Sequence, residues 1–88
     1  MLRITVQERS ENTRTVKVEG RLAGQSNDEF QRVCDDLLTA RCTLTFDLTD
    51  VLFADDAGVR TLHNLVARGA TIDHCSPFIT EQLRGGHS

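Results

Sequence analysis

Two adjacent carboxylates, Asp55 and Asp56, are the side chains whose type and spacing best suit chemistry. With Ala57 and Gly58 they open a predicted helix, where aspartates accept hydrogen bonds from free N–H groups and complement the positive end of the helix dipole. Capping is the favoured interpretation. Acid–base catalysis needs two carboxylates in different environments beside a cleft, and adjacent residues at a helix start diverge. Because the chain also has no P-loop or nucleophile elbow, the sequence predicts a protein that is not an enzyme.

The cysteines and histidines do not have the spacing of a zinc site. His74 and Cys75 are neighbours on a predicted strand and would point to opposite faces. Cys34 lies on an apolar helical stripe and is predicted to be buried, and His63 is predicted to be a packed or half-exposed neutral residue. The odd cysteine count, without a C-x-x-C pair, indicates reduced thiols and a cytoplasmic location. We therefore predict no metal and no cofactor; the ligands considered are His63, His74, Cys75 and His87.

The composition of the 88 residues, 39% hydrophobic and 26% charged, is that of one small globular domain. No apolar run exceeds four residues, whereas a membrane-spanning helix needs about 20, so direct membrane insertion is not expected. A net charge of −3 without tryptophan or tyrosine does not suit phosphate backbones or base stacking. Nucleic acid is therefore not an expected partner.

Apolar periodicity predicts the elements that position these groups. Alternation of apolar and polar residues predicts strands at about 2–7, 15–19, 43–48 and 70–74. A capping box of Ser26 and Glu29 predicts the start of a first helix that runs to Leu38, and helices follow at about 55–69 and 77–83. The order β-β-α-β-α-β-α predicts an α/β domain with a mixed four-stranded sheet and three helices. We expect a single domain over 1–88, with an ordered core at about 2–84 and a tail at 85–88.

Residues 47–59 resemble the signature of the STAS domain, the fold of anti-sigma-factor antagonists and of the cytoplasmic tails of sulfate transporters. The matching positions are Asp47, Leu48, Thr49, Val51, Phe53, Asp55, Gly58 and Val59. Gly20, Arg21 and Leu22 after the predicted hairpin add to the resemblance, which covers residues 2–83. It implies a regulatory protein-interaction module whose partner is an anti-sigma kinase, a transporter subunit or another signalling protein.

The resemblance also implies where a partner would bind and how the chain departs from switchable relatives. The implied surface comprises Gly24, Gln25, Ser26, Asn27, Asp55, Asp56, Ala57, Gly58 and Val59. Relatives that are switched carry a phosphorylated serine or threonine immediately before the motif glycine, and this chain has Ala57 there. The family switch therefore cannot operate at this position, while Asp56 places a fixed negative charge beside it, an imperfect copy of a phosphate.

Family members continue past the third helix with a further strand and helix, so the resemblance implies an open edge at the fourth strand. An open edge favours pairing, and we expect a homodimer or a partner there.

Two other functions stay open. One is a small-molecule or nucleotide-binding module of the same fold. The other, more remote, is a ubiquitin-like modifier, because Leu83, Arg84, Gly85 and Gly86 resemble a conjugation tail. A helix C-cap explains Gly85 equally well.

Overall fold

The computed structural model describes residues 2–85, and it describes side chains for residues 2–83. In chain order the elements are β1 (Leu2–Glu8), β2 (Thr13–Leu22), α1 (Gln25–Thr39), β3 (Thr43–Ala54), α2 (Asp56–Ala67), β4 (Thr71–Cys75) and α3 (Pro77–Gly85). The predicted order of elements is confirmed. Gly85 belongs to α3, and residues 86–88, with the last glycine of the tail considered above, lie outside the described residues.

The strands form the predicted mixed four-stranded sheet, and their order in it is β1-β2-β3-β4. β1 pairs with β2 in antiparallel fashion, whereas β2–β3 and β3–β4 are parallel pairs. Parallel neighbours need a crossover, which α1 and α2 supply. The carboxyl ends of β2 and β3 consequently lie side by side, so that the loops that follow these strands meet at one end of the sheet.

The core lies between one face of the sheet and the helices. Val16 of β2 pairs with Phe46 of β3, and both are fully buried. Phe30 of α1 packs on Phe46, with ring centroids 5.4 Å apart. Cys34 is buried in the same cluster as predicted, and desolvation, with the nearby Asp35 charge, raises the pKa of its thiol to about 12. The apolar stripes read from the sequence are therefore the surfaces that form the core.

The predicted capping box at the start of α1 is wrong. The N-cap residue is Gly24, with φ 60°, and no side chain caps the helix, which begins before the position that a Ser26 cap requires. The predicted cap at Asp55 is confirmed, and the structure has a second side-chain cap at the start of α3. The Asp55 carboxylate accepts a hydrogen bond from the Gly58 N–H, and the Ser76 hydroxyl accepts one from the Ile79 N–H at 3.3 Å.

β4 is an edge of the described sheet, but its features oppose strand pairing. It has five residues, and the register against β3 shifts between the pairs Phe46–Ile72 and Asp47–His74, which leaves Asp73 as an extra residue. Short edge strands, bulges and charges are the devices by which proteins prevent edge-to-edge association. The expected homodimer through this edge stays a prediction.

No helix among the described residues is long and apolar enough to cross a membrane.

Candidate functional site

The candidate site lies where β2 and β3 end. Leu22 pairs with Ala54 at the last position of the parallel ladder, and the Asp55 N–H then donates a hydrogen bond to the Leu22 carbonyl at 3.2 Å. α1 and α2 begin directly after these strand ends. The starts of the two helices are therefore neighbours although about 30 residues separate them in the chain.

The Asp55 carboxylate joins these two helix starts. Its Oδ1 accepts hydrogen bonds from the Gly58 N–H at 2.7 Å and from the Asn27 side-chain amide at 2.9 Å, and its Oδ2 accepts one from the Gly24 N–H at 3.1 Å. These three hydrogen bonds lower the pKa of Asp55 below its usual range, and the bond from Asn27 has the largest effect. Asp55 is thus an ionised clamp within the fold, as the capping interpretation predicts for this residue.

Asn27 is the buried half of the clamp. Its side chain is 6% exposed, and its amide group donates to Asp55. An ionised carboxylate only accepts hydrogen bonds, so the amide nitrogen must face Asp55. The amide oxygen is buried and has no hydrogen-bond partner among the described atoms. The sequence interpretation placed Asn27 on a partner-binding surface and missed this internal role, because no local pattern marks it.

Gly58 is required by close packing. A Cβ at this position would lie 2.5 Å from the Leu22 carbonyl oxygen and 3.0 Å from Oδ1 of Asn27. The first of these contacts is with backbone, which cannot rotate away. A glycine here lets α2 approach the end of β2 closely enough for Asp55 to reach both loops.

The nine surface residues that the STAS resemblance implies differ in how exposed they are. Gly24, Gln25, Asp56 and Ala57 are exposed, and Ser26 and Asp55 are half-buried. Asn27, Gly58 and Val59 are buried and shape the surface from beneath. Asp56 forms no hydrogen bond or ion pair with any described residue. The two neighbouring aspartates therefore differ, since Asp55 is used internally while Asp56 is available to a partner.

An apolar groove of about 490 Å³ lies elsewhere, between α2, β4 and α3. Leu62, Val66, Ile72, Cys75 and Leu83 provide its apolar wall. His63 lies at the surface here, with Nε2 3.2 Å from the Leu83 carbonyl oxygen. Among the described residues no three histidine, cysteine or acidic side chains are grouped so that they could hold a metal ion, and His87 lies outside that part of the chain.

The element order and the mixed four-stranded sheet are those of the fold that the STAS resemblance predicts. One solved structure that shares it is the anti-sigma factor antagonist SpoIIAA in its unphosphorylated form, with a TM-score of 0.71 and 16% identity over 93% of this chain and 82% of that chain. Another is the Bacillus cell fate determinant SpoIIAA in the phosphorylated form, with a TM-score of 0.72 and 16% identity over 94% and 84%. No protein-family model and no curated protein sequence matches the chain. The likeness confirms the predicted fold.

Proposed function

We propose that the chain is a non-catalytic, cytoplasmic protein-interaction module of the STAS type. The helix-start surface, defined as residues 24–27 and 55–59, binds the partner. The observation that carries this proposal is the Asp55 clamp, which holds the starts of α1 and α2 together through Gly24, Asn27 and Gly58. A surface fixed in this way is organised before a partner arrives, which lowers the ordering cost of binding.

The partner in this proposal is an anti-sigma kinase-like protein or a transporter subunit. Support comes from the shared fold with a protein described as an anti-sigma factor antagonist. Binding is constitutive, because Ala57 has no hydroxyl group to phosphorylate and Asp56 holds a permanent negative charge beside it. A carboxylate carries less charge than a phosphate and one oxygen fewer, so the bound state need not copy either state of a switchable relative.

Two matched tryptophan variants on α2 test the proposal. Ala57 and Ala67 are both exposed residues of α2, but only Ala57 lies in the helix-start surface. A tagged chain is purified from its native cells, the recovered protein is identified and purified, and its affinity is measured by calorimetric titration. We expect Ala57→Trp to weaken binding at least about tenfold, the equivalent of 1.4 kcal/mol, and Ala67→Trp to bind like the unmodified chain. Equal binding by two folded variants would contradict the proposal.

A second candidate function is the binding of a small apolar ligand in the groove between α2, β4 and α3. The volume of about 490 Å³ falls within the roughly 300–1,000 Å³ of ligand pockets, and the wall is apolar. No lysine or arginine among the described lining residues offers charge to a nucleotide phosphate, so a lipid-like ligand fits better. A thermal-shift series with fatty acids and nucleotides tests this, since a ligand at 100 times its Kd adds about 2.7 kcal/mol to the free energy of unfolding.

A further inference from the structure

A bulge in β3 turns an apolar side chain out to solvent beside the helix-start surface. In the β2–β3 ladder Gly20 pairs with Val51 and Arg21 with Phe53, so Leu52 is an extra residue on β3. Its side chain is 72% exposed, more than that of any other large hydrophobic residue among those described. Bulges re-aim side chains next to functional sites. A side chain with this exposure contributes little burial to the core, and it is accessible to a partner.

Other exposed apolar side chains lie at the same end of the sheet. Phe53 is 38% exposed, and Phe78 in the first turn of α3 is 51% exposed. The Ser76 hydroxyl lies 3.4 Å from the Val51 carbonyl oxygen and so brings the start of α3 beside this part of β3. We call Leu52, Phe53 and Phe78 the anchor patch. It contains three of the five exposed large hydrophobic side chains among the described residues, and the remaining two, Val6 and Val66, lie on other elements.

Opposite charges without partners border the patch. The Arg21 guanidinium lies 5.9 Å from the centre of the Phe53 ring, and Asp56 follows Phe53 by three residues. Neither side chain forms an ion pair with any described residue. An apolar centre with charged groups at its rim is the usual anatomy of a protein-binding surface.

We propose that Leu52 and Phe53 anchor the partner, and this rests on the proposed function. The partner is a protein with an apolar pocket for Leu52, a carboxylate that meets Arg21 and a lysine or arginine that meets Asp56. A lipid surface fits less well, because the chain has a net charge of −3 and the helix-start surface presents Asp56. The patch thereby extends the helix-start surface across the carboxyl end of β3.

Photo-crosslinking in the native cells tests the position of the anchor. Benzoylphenylalanine is placed at residue 52, at the exposed residue 25 in the helix-start surface, or at residue 6, where Val6 is 42% exposed on the edge strand β1. We expect one adduct of the same mass from positions 52 and 25 and none from position 6. The crosslinked protein is then purified and titrated with Leu52→Ser, for which we expect binding at least about tenfold weaker, and with Val6→Ser as the unaffected control.

The outcomes separate this inference from the proposed function. An adduct from position 25 without one from position 52, or equal affinity of folded Leu52→Ser and Val6→Ser, overturns the anchor and leaves the helix-start surface intact. Absence of adducts from both positions overturns both. A Leu52-dependent attachment to anionic or zwitterionic phospholipid vesicles would show that the patch meets a membrane, which also overturns the protein anchor. Circular dichroism of each variant establishes that the fold is retained.

Discussion

Replacing Asp55 with alanine tests the clamp directly, because it removes the acceptor of three hydrogen bonds, two of which join the start of α1 to the start of α2. Loss of an N-cap aspartate costs about 0.5–2 kcal/mol. The Asn27 amide nitrogen is left without its carboxylate partner in a side chain that is 94% buried, at about 1–3 kcal/mol. Gly24 is exposed, so its N–H can bind water instead.

The sum is a loss of about 3 kcal/mol in the free energy of unfolding, a large part of the roughly 5–15 kcal/mol typical of a domain. For a chain of this size the loss corresponds to a Tm lower by about 12–24 °C. Urea unfolding followed by circular dichroism measures it. Asp56→Ala is the matched control, because Asp56 lacks a hydrogen-bond partner among the described residues and contributes at most about 1 kcal/mol through the helix dipole.

The pH dependence of the same variant has a definite sign. Hydrogen bonds lower the pKa of Asp55 in the folded chain, so its ionised form stabilises the fold at any pH above the unfolded value of about 3.9. This contribution is lost as the pH falls through the lowered folded pKa. The difference in stability between the unmodified chain and Asp55→Ala should therefore be full at neutral pH and shrink below about pH 4.

A double-mutant cycle with Asn27→Ala isolates the buried bond. We expect the two substitutions to cost less together than their sum, by roughly 0.5–3 kcal/mol, because each alone already breaks the Asn27–Asp55 contact. If Asp55→Ala and Asp56→Ala destabilise the chain equally at neutral pH, or if the cycle shows additivity, Asp55 is an ordinary surface cap and the clamp is refuted.

Two further predictions concern packing and thiol reactivity. Gly58→Ala should lower the free energy of unfolding by more than about 1 kcal/mol in urea titrations, although alanine is the better helix former. The reason is that the alanine Cβ would lie 2.5 Å from the Leu22 carbonyl oxygen. A variant as stable as the parent would contradict that contact. Iodoacetamide at pH 8 should alkylate Cys42 and Cys75 in the folded chain but Cys34 only after unfolding, because burial raises the pKa of the Cys34 thiol to about 12. Mass spectrometry measures the labelling of each cysteine. Labelling of Cys34 in the folded chain as fast as that of the other two would refute this.

The sequence predicts the elements of this fold well because each has a strong apolar period. Leu44, Phe46 and Leu48 alternate and are all fully buried in β3. Phe30 and Cys34, one turn apart on α1, lie in the core as their spacing requires. Periodicity reports which face of an element avoids water, and in this chain the same faces make the sheet and the helix layer.

The contacts at the site could not be predicted in the same way, because they join residues distant in the chain. The pattern at Ser26 satisfies a local capping rule, yet α1 begins at Gln25, and the Gly24 N–H bonds to Asp55, 31 residues away. The bulge that exposes Leu52 depends on the pairing of two strands, which no window of one strand contains. The resemblance to the STAS signature pointed to this segment as a whole, and it could not separate its exposed residues, such as Asp56, from those that hold it in place, such as Asn27.

The different roles of Asp55 and Asp56 bear on how the helix-start surface could be regulated. The Asp55 carboxylate accepts three hydrogen bonds from within the fold. Of the two aspartates at the start of α2, Asp56 is therefore the one whose charge is not used internally. Ala57 offers no hydroxyl, and Ser26 is half-buried. Phosphorylation of the residue before Gly58 is therefore excluded in this chain. Under the proposed function, control of binding then lies with the amount or the state of the partner.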